Sequence, residues 1–364
     1  MKIGIITFHF AYNYGAALQA YAMQEHLKQM GHEAYIIDYA PEYHIRKYSR
    51  GRTWNSCFTP PLWQFPVKIL IKLFRNLEKG KSKSFEAFKT KHFNLYPYTT
   101  TDDFSFFDCV LLGSDQIWRQ DITNNCFDGP YYGEGFKCRV FSYAASNRAT
   151  AISEEEASIY REKLKKLSHI GVRELKLKQL LEDLTHQNIT VNLDPTLLAG
   201  RKVFENLKLD KPLKDKYVLV YQLPFRPQVV QLAKNYAHKI GAKLVCLVDA
   251  PLPFRINNYD QTAGPENFLA YIKHAECVFT TSFHGTALSL IFKKDFFSIK
   301  QHTSADIRIS YLLDQVGLKE RFIEMQQPIE AKKIDYTDVN DKLEMLRISS
   351  QDFLESAINN KRYE

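Results

Sequence analysis

The sequence predicts an α/β chain of two doubly wound, Rossmann-like domains that face each other across a cleft. Three observations predict it. Short runs rich in Ile, Val and Leu alternate with helix-length amphipathic stretches, the pattern of parallel strands joined by helical crossovers. The alternation halts in a Lys/Asp/Pro-rich stretch at 208–216 and then restarts. The chain has 364 residues, 45% hydrophobic and 25% charged, enough for two domains of roughly 150 residues that each bury a core. The expected division is 1–207 and 208–364, with a helical tail at 339–359 placed to pack back on the first domain.

Each element has its own signal. Residues 2–8 form an Ile-rich buried strand, 9–15 a polar and aromatic loop, and 16–30 a helix that Gly31 stops. Residues 33–39 are the next strand, closed by Pro41, and the crossover between them should be right-handed. The stretch 41–100 is irregular around Pro60-Pro61, then helical and basic over 67–93. Its apolar positions Ile69, Ile71, Leu73, Phe74 and Leu77 suit an amphipathic surface helix or a helix packed on its own domain. Residues 107–113 and 140–145 are strands, and Ser153 before three Glu residues marks a helix start. A strand at 168–173 runs into a helix at 174–184, and a strand at 189–194 ends at Pro195. In the second block, strands fall at 217–223, 243–248, 277–282 and 296–299. Helices fall at 227–240, 265–275 and 286–292, and a Pro-rich loop follows 248.

Composition excludes several classes. No stretch approaches the roughly 18 apolar residues of a membrane span. The apolar run at the N-terminus is too short for a signal peptide core and lacks a small-residue cleavage site. The six cysteines, Cys57, Cys109, Cys126, Cys138, Cys246 and Cys277, form no Cys-x-x-Cys pair. Three of them, Cys109, Cys246 and Cys277, sit in apolar strand-like runs where a thiol behaves as a small hydrophobe. A cytoplasmic protein with reduced thiols is expected. Net charge is +8, and residues 41–100, with 12 Lys+Arg against 3 Asp+Glu, carry the whole excess. Such a segment suits an anionic polymer, a lipid-linked diphosphate or peripheral contact with the inner face of the cytoplasmic membrane, or is a solvated basic face.

The usual nucleotide signatures are missing. The first loop has only Gly15 where a Gly-x-Gly-x-x-Gly turn would stand, despite Asp38 at the end of the second strand, and there is no P-loop. No Gly-x-Ser-x-Gly elbow, metal-ligand spacing or basic aromatic RNA-binding sheet occurs, so neither a metal nor a nucleic-acid partner is expected.

What remains is a set of motifs at strand ends, where ligands dock in doubly wound folds. Thr281-Ser282-Phe283-His284-Gly285-Thr286 joins an apolar strand to an apolar helix. His284 there can exchange protons near neutral pH, Gly285 permits close approach, and the helix start at Thr286 offers N–H groups to an anion. Arg173 ends a strand and suits a carboxylate or phosphate, or a surface ion pair. Asn13, Tyr14 and Gly15 form the first crossover loop; they can bind a sugar or cap and pack the helix. Ser114 and Asp115 in Gly113-Ser114-Asp115-Gln116 can hold sugar hydroxyls or cap a turn, and Asp194 can meet a ligand or shape an Asp-Pro turn. In Gly264-Pro265-Glu266, Pro265 fits the first helical position and Glu266 the positive helix end.

Taken in order, Asn13-Tyr14-Gly15-Ala16, Gly113-Ser114-Asp115-Gln116-Ile117-Trp118, Val172-Arg173-Glu174, Asp194-Pro195-Thr196, Gly264-Pro265-Glu266 and Ser282-Phe283-His284-Gly285-Thr286-Ala287 resemble the polysaccharide pyruvyl transferase family over roughly residues 1–320. The resemblance implies a GT-B-like fold. It implies transfer of pyruvate from phosphoenolpyruvate to a sugar as a cyclic ketal, on exopolysaccharides, capsules or wall polymers. It places the family's His at His284 and its donor-binding Arg at Arg173, with Ser282 beside them in the motif. Phosphoenolpyruvate is the donor substrate, a carbohydrate the acceptor, and no cofactor is implied. The fold also admits a GT-B glycosyltransferase using a nucleotide sugar, or a non-catalytic sugar-binding member.

Overall fold

Two parallel sheets with the same strand order set the frame. The computed structural model describes residues 1–45, 65–147, 151–248, 259–327, 329 and 332–361; within its long helix, side chains are described from residue 79 onward. Cys57, Pro60-Pro61, the apolar positions 69–77 of the basic segment and the Pro-rich loop after 248 lie outside these described parts.

The first sheet holds β1 (Lys2–Ile6), β2 (Glu33–Ile37), β3 (Leu95–Tyr96), β4 (Cys109–Leu112), β5 (Arg139–Ala145), β6 (Ile170–Val172) and β7 (Ile189–Val191) in the order β3-β2-β1-β4-β5-β6-β7. The second holds β8 (Tyr217–Gln222), β9 (Lys243–Val248), β10 (Tyr259–Asp260), β11 (Cys277–Thr280), β12 (Asp295–Ile299) and β13 (Phe322–Ile323) in the order β10-β9-β8-β11-β12-β13. All pairings are parallel, for example Ile3 with Cys109 and Cys277 with Val218. Every residue of β4 and β11 is buried, which is why these strands read as continuous apolar runs. Strand order reverses between β1 and β4 and again between β8 and β11. A crevice opens outside the strand ends at such a point. Here two of them face each other, and this GT-B-like arrangement positions the site.

Helix α1 (Tyr14–Gln29) begins where Asn13 Oδ1 accepts the Ala16 N–H at 3.2 Å, and Gly31, at φ +87°, follows its end. Its residues are buried almost all round, because it is wedged between the lobes. Tyr14 stacks on Phe268 at 4.5 Å, meets Tyr221 edge-on at 5.5 Å and donates to Ala263 O at 3.0 Å. Each aromatic pair adds about 0.5–1.5 kcal/mol beyond its buried area. One apolar core runs from Leu18 through Leu197 and Phe204 to Leu288 and so joins both lobes.

The remaining helices are α2 (Glu42–His44), α3 (Phe65–His92), α4 (Glu154–Leu164), α5 (Leu175–Thr185), α6 (Pro195–Ala199), α7 (Pro227–Lys239), α8 (Pro265–His274), α9 (Phe283–Ile291), α10 (Asp306–Gln315) and α11 (Tyr336–Asn359). Ser153 and Glu156 form a capping box on α4. Pro265 is the first residue of α8, and Glu266 accepts from His92 and Lys91 of α3, a structural tie. The C-terminal helix α11 lies on the first sheet's side: Ser350 Oγ accepts the Leu193 N–H at 3.0 Å, and His169 Nε2 donates to Lys361 O at 2.7 Å. Among the described residues no helix is long and apolar enough to cross a membrane, and Cys109, Cys126, Cys138, Cys246 and Cys277 are free thiols.

Candidate active site

The five loops that leave β1, β4, β8, β11 and β12 line one cleft with a volume of about 830 Å³. The first lobe contributes Phe8, Phe10, Asn13, Asp115 and Gln116; the second contributes Arg226, Ser282, Phe283, His284, Gln301 and Arg308. The volume lies near the upper end of the roughly 300–1,000 Å³ of ligand pockets.

His284 sits at the seam. It is the second residue of α9, and its ring is held from two sides. Nε2 is enclosed and lies 3.4 Å from Asp194 Oδ2, an ion-pair distance outside hydrogen-bond geometry. On the other side lies Gly15 of α1, where a Cβ would stand 2.1 Å from Nδ1. Only a glycine lets the backbone of α1 come this close. His284 lines the cleft, with its side chain 10% exposed.

Asp194 caps α6, with Oδ1 accepting from the Thr196 N–H at 2.9 Å and the Thr196 hydroxyl at 2.7 Å. Its other oxygen, Oδ2, meets Arg173 Nη1 at 3.3 Å and the Ser114 hydroxyl at 3.5 Å. Arg173 Nη2 also donates to Ser114 Oγ. The Asp194 side chain is 0% exposed and that of Arg173 2%. Burial by itself pushes the Asp194 carboxyl up. The opposing charges of Arg173 and His284, with the Thr196 hydroxyl bond, outweigh it and hold the carboxyl well below the usual carboxylate range. The buried anion steadies the imidazole.

A model of the polysaccharide pyruvyl transferase family matches residues 13–303, four-fifths of the chain and every motif just described. The chain belongs to that family. No curated protein sequence matches the chain as a relative. Among solved structures, a putative UDP-N-acetylglucosamine 2-epimerase from Listeria monocytogenes is 9% identical, with a TM-score of 0.48, covering 99% of this chain and 97% of that one. A UDP-GlcNAc 2-epimerase from Neisseria meningitidis bound to UDP-GlcNAc is 11% identical, with a TM-score of 0.44, covering 98% and 94%.

Within this member of the family, the structure sorts the residues singled out by sequence. Asn13, Asp115, Ser282 and His284 line the cleft. Asp115 stands at φ +72°, a left-handed conformation that Asp tolerates better than most residues, with Oδ1 accepting the Gln116 N–H at 2.9 Å. Gly15 supports the imidazole instead of touching a ligand. Ser114 and Asp194 are buried behind His284.

Four expectations are corrected. Tyr14 does not reach the cleft: as the first residue of α1 it points into the interlobe core. Arg173 does not present its fork to the cleft, because Asp194 and Ser114 already occupy it. Helix α9 starts at Phe283 and not at Thr286. The Thr286 N–H therefore makes the first helical bond, to Ser282 O at 3.0 Å, and its hydroxyl pairs with Ser298 Oγ at 2.7 Å. The unengaged N–H groups at the helix start belong to Phe283, His284 and Gly285. Gly285 serves packing, since a Cβ there would stand 2.2 Å from Thr280 Oγ1.

Sequence reasoning passed over Arg226 and Arg308. Both follow strands of the second sheet at a helix start, the signal that picked out Arg173 on the first. The guanidinium groups of Arg173 and Arg308 each lie 5.4 Å from the centroid of the Phe283 ring.

Proposed function

We propose that this pyruvyl transferase moves pyruvate from phosphoenolpyruvate to two hydroxyls of one sugar, on an exopolysaccharide or other cell-envelope polymer or its lipid-linked precursor. The product is a cyclic ketal, and His284 is the general acid/base. The single observation that carries the reading is an imidazole that lines the interlobe cleft and is held between buried Asp194 and Gly15.

The chemistry balances without a further reactant. A proton added to the methylene carbon of the donor leaves an oxocarbenium-like centre at the carbon that bears the phosphate. One sugar hydroxyl attacks that carbon and loses its proton, inorganic phosphate departs, and a second hydroxyl closes the ring and loses its proton. Donor and diol thus become ketal and phosphate. His284 delivers the first proton and accepts one back. Asp194 holds the ring in place from behind. The N–H groups at the start of α9 and the arginines of the second lobe suit a negatively charged donor. Asn13, Asp115 and Gln116 on the facing wall suit sugar hydroxyls, with Asp115 able to accept a hydroxyl proton. Donor and acceptor are the only small molecules this scheme uses, and a cytoplasmic site, with peripheral membrane contact through 41–100, is consistent with it.

The test is incubation with phosphoenolpyruvate and the host's polysaccharide precursors, read by mass for an added pyruvyl group and by phosphorus NMR for inorganic phosphate. His284→Ala should abolish turnover and remain folded. Full activity in that variant, or release of a nucleoside diphosphate from a nucleotide sugar in place of phosphate from phosphoenolpyruvate, would overturn the assignment.

A further inference from the structure

Charge is divided unequally between the cleft walls. The first lobe offers amides, one carboxylate and the aromatic rings of Phe8 and Phe10. Its one arginine there, Arg119, is already neutralised: Nε and Nη2 each meet an Asp121 carboxylate oxygen at 2.5 Å, and Nη1 donates to Gln116 at 2.7 Å.

Arg226 of the second lobe is different. It follows β8 and caps α7, and its backbone is tied down by the N–H bond to Gln222 Oε1 at 2.9 Å. Its loop is stitched to the His284 turn, where the Leu223 N–H donates to Thr281 Oγ1 at 2.7 Å and Gln301 donates to Thr281 O at 2.9 Å. The base of the side chain is therefore held against the catalytic turn. The guanidinium, however, makes no ion pair with a described residue, and its Nε is enclosed with no acceptor. A desolvated, unpaired guanidinium nitrogen is costly in isolation, and a planar donor fork matches a phosphate well.

We propose that Arg226 grips the phosphate group of a substrate in the interlobe cleft that His284 and Arg308 also line. This deepens the pyruvyl transfer reading and rests on it for the identity of that substrate, phosphoenolpyruvate. The second lobe then binds the charged partner, and the neutral and acidic first lobe receives the sugar. Arg173, closed off by Asp194, plays no direct part in holding the phosphate.

Isothermal titration calorimetry on the full chain tests this with phosphoenolpyruvate and, separately, N-acetylglucosamine 1-phosphate. The variants are Arg226→Ala, Arg226→Lys and Lys243→Ala, the last removing an exposed charge that pairs with Asp215 away from the cleft. Phosphoenolpyruvate should bind the unaltered protein. Arg226→Ala should weaken binding roughly 10- to 100-fold, the range of a charge-assisted hydrogen bond. Arg226→Lys should recover part of it, and Lys243→Ala should stay within about twofold, as expected of an exposed surface charge. Binding to Arg226→Ala at unaltered strength, or no binding of either phosphate compound to the unaltered protein, would overturn the proposal. Arg226-dependent binding of the sugar phosphate alone would uphold the phosphate grip while removing phosphoenolpyruvate as its occupant, and with it the donor in the functional reading.

Discussion

Gly15→Ala puts one methyl group where the imidazole already is. The added Cβ would stand 2.1 Å from Nδ1, 2.5 Å from Cγ and 2.6 Å from Cε1 of His284, against about 3.5–4.0 Å for an unstrained contact between carbons. The ring must retreat by roughly 1 Å, or α1 must move. Neither is easy. Behind the ring is the Asp194 cluster, and α1 is buried on nearly every side and capped by Asn13. Gly15 has no left-handed backbone to lose, and Ala in a helix is by itself favoured over Gly by about 0.5–1 kcal/mol. If the ring yields, that gain offsets part of the packing strain, the melting temperature stays near that of the unaltered protein, and activity falls. A displacement of this size at a catalytic group is worth about a hundredfold in rate. If α1 yields instead, overpacking costs about 1–3 kcal/mol and the melting temperature drops. Ketal formation and thermal unfolding, measured together on the variant, check this. Unchanged kcat with an unchanged melting temperature would refute the claim that Gly15 is the wall behind which His284 works.

Asp194→Asn keeps the shape but leaves Arg173 as a buried charge without its counter-ion; a loss of about 3–5 kcal/mol is expected in urea unfolding, together with a lower kcat. The depressed Asp194 carboxyl also sets a direction with pH. The native state holds fewer protons than the unfolded chain in acid, so its contribution is complete above the ordinary carboxyl value of 3.8 and is lost as pH falls below that value. Urea midpoints measured down through this range should fall in the unaltered protein and lose this component of the slope in Asp194→Asn. Tyr14→Phe removes the bond to Ala263 O; about 0.5–1.5 kcal/mol of stability should go, with kcat and KM for both substrates unchanged. A raised acceptor KM in that variant would return Tyr14 to the cleft.

The strand-end motifs were legible because parallel sheets put all their strand C-termini on one edge. His284, Asn13, Asp115, Ser282, Asp194 and Arg173 each follow a strand or a loop that leaves one, and the fold gathers those ends. Side-chain direction was another matter. Asn13 is the extended cap residue and faces the cleft, while Tyr14, the first residue in the helix, enters the core. The position of the first helical residue decides this, and for α9 periodicity alone placed it three residues late. With the start at Phe283, Thr286 turns inward to Ser298, and His284 lies within the first turn.

By itself, then, the order of residues determined two doubly wound halves, the edge on which chemistry must sit and the family to which that chemistry belongs, because apolar periodicity and strand-end motifs are local properties. Which arginine stands behind His284 and which stands in the cleft was decided only by the tertiary structure. Arg173 and Arg226 occupy the same kind of position, the end of a buried strand before a helix. Only Arg173 finds a buried carboxylate within 3.3 Å, and that carboxylate lies 21 residues further along the chain, on another strand end. Charge pairing in a folded protein depends on distance in space and on exclusion of water, and neither is written in the spacing of the sequence.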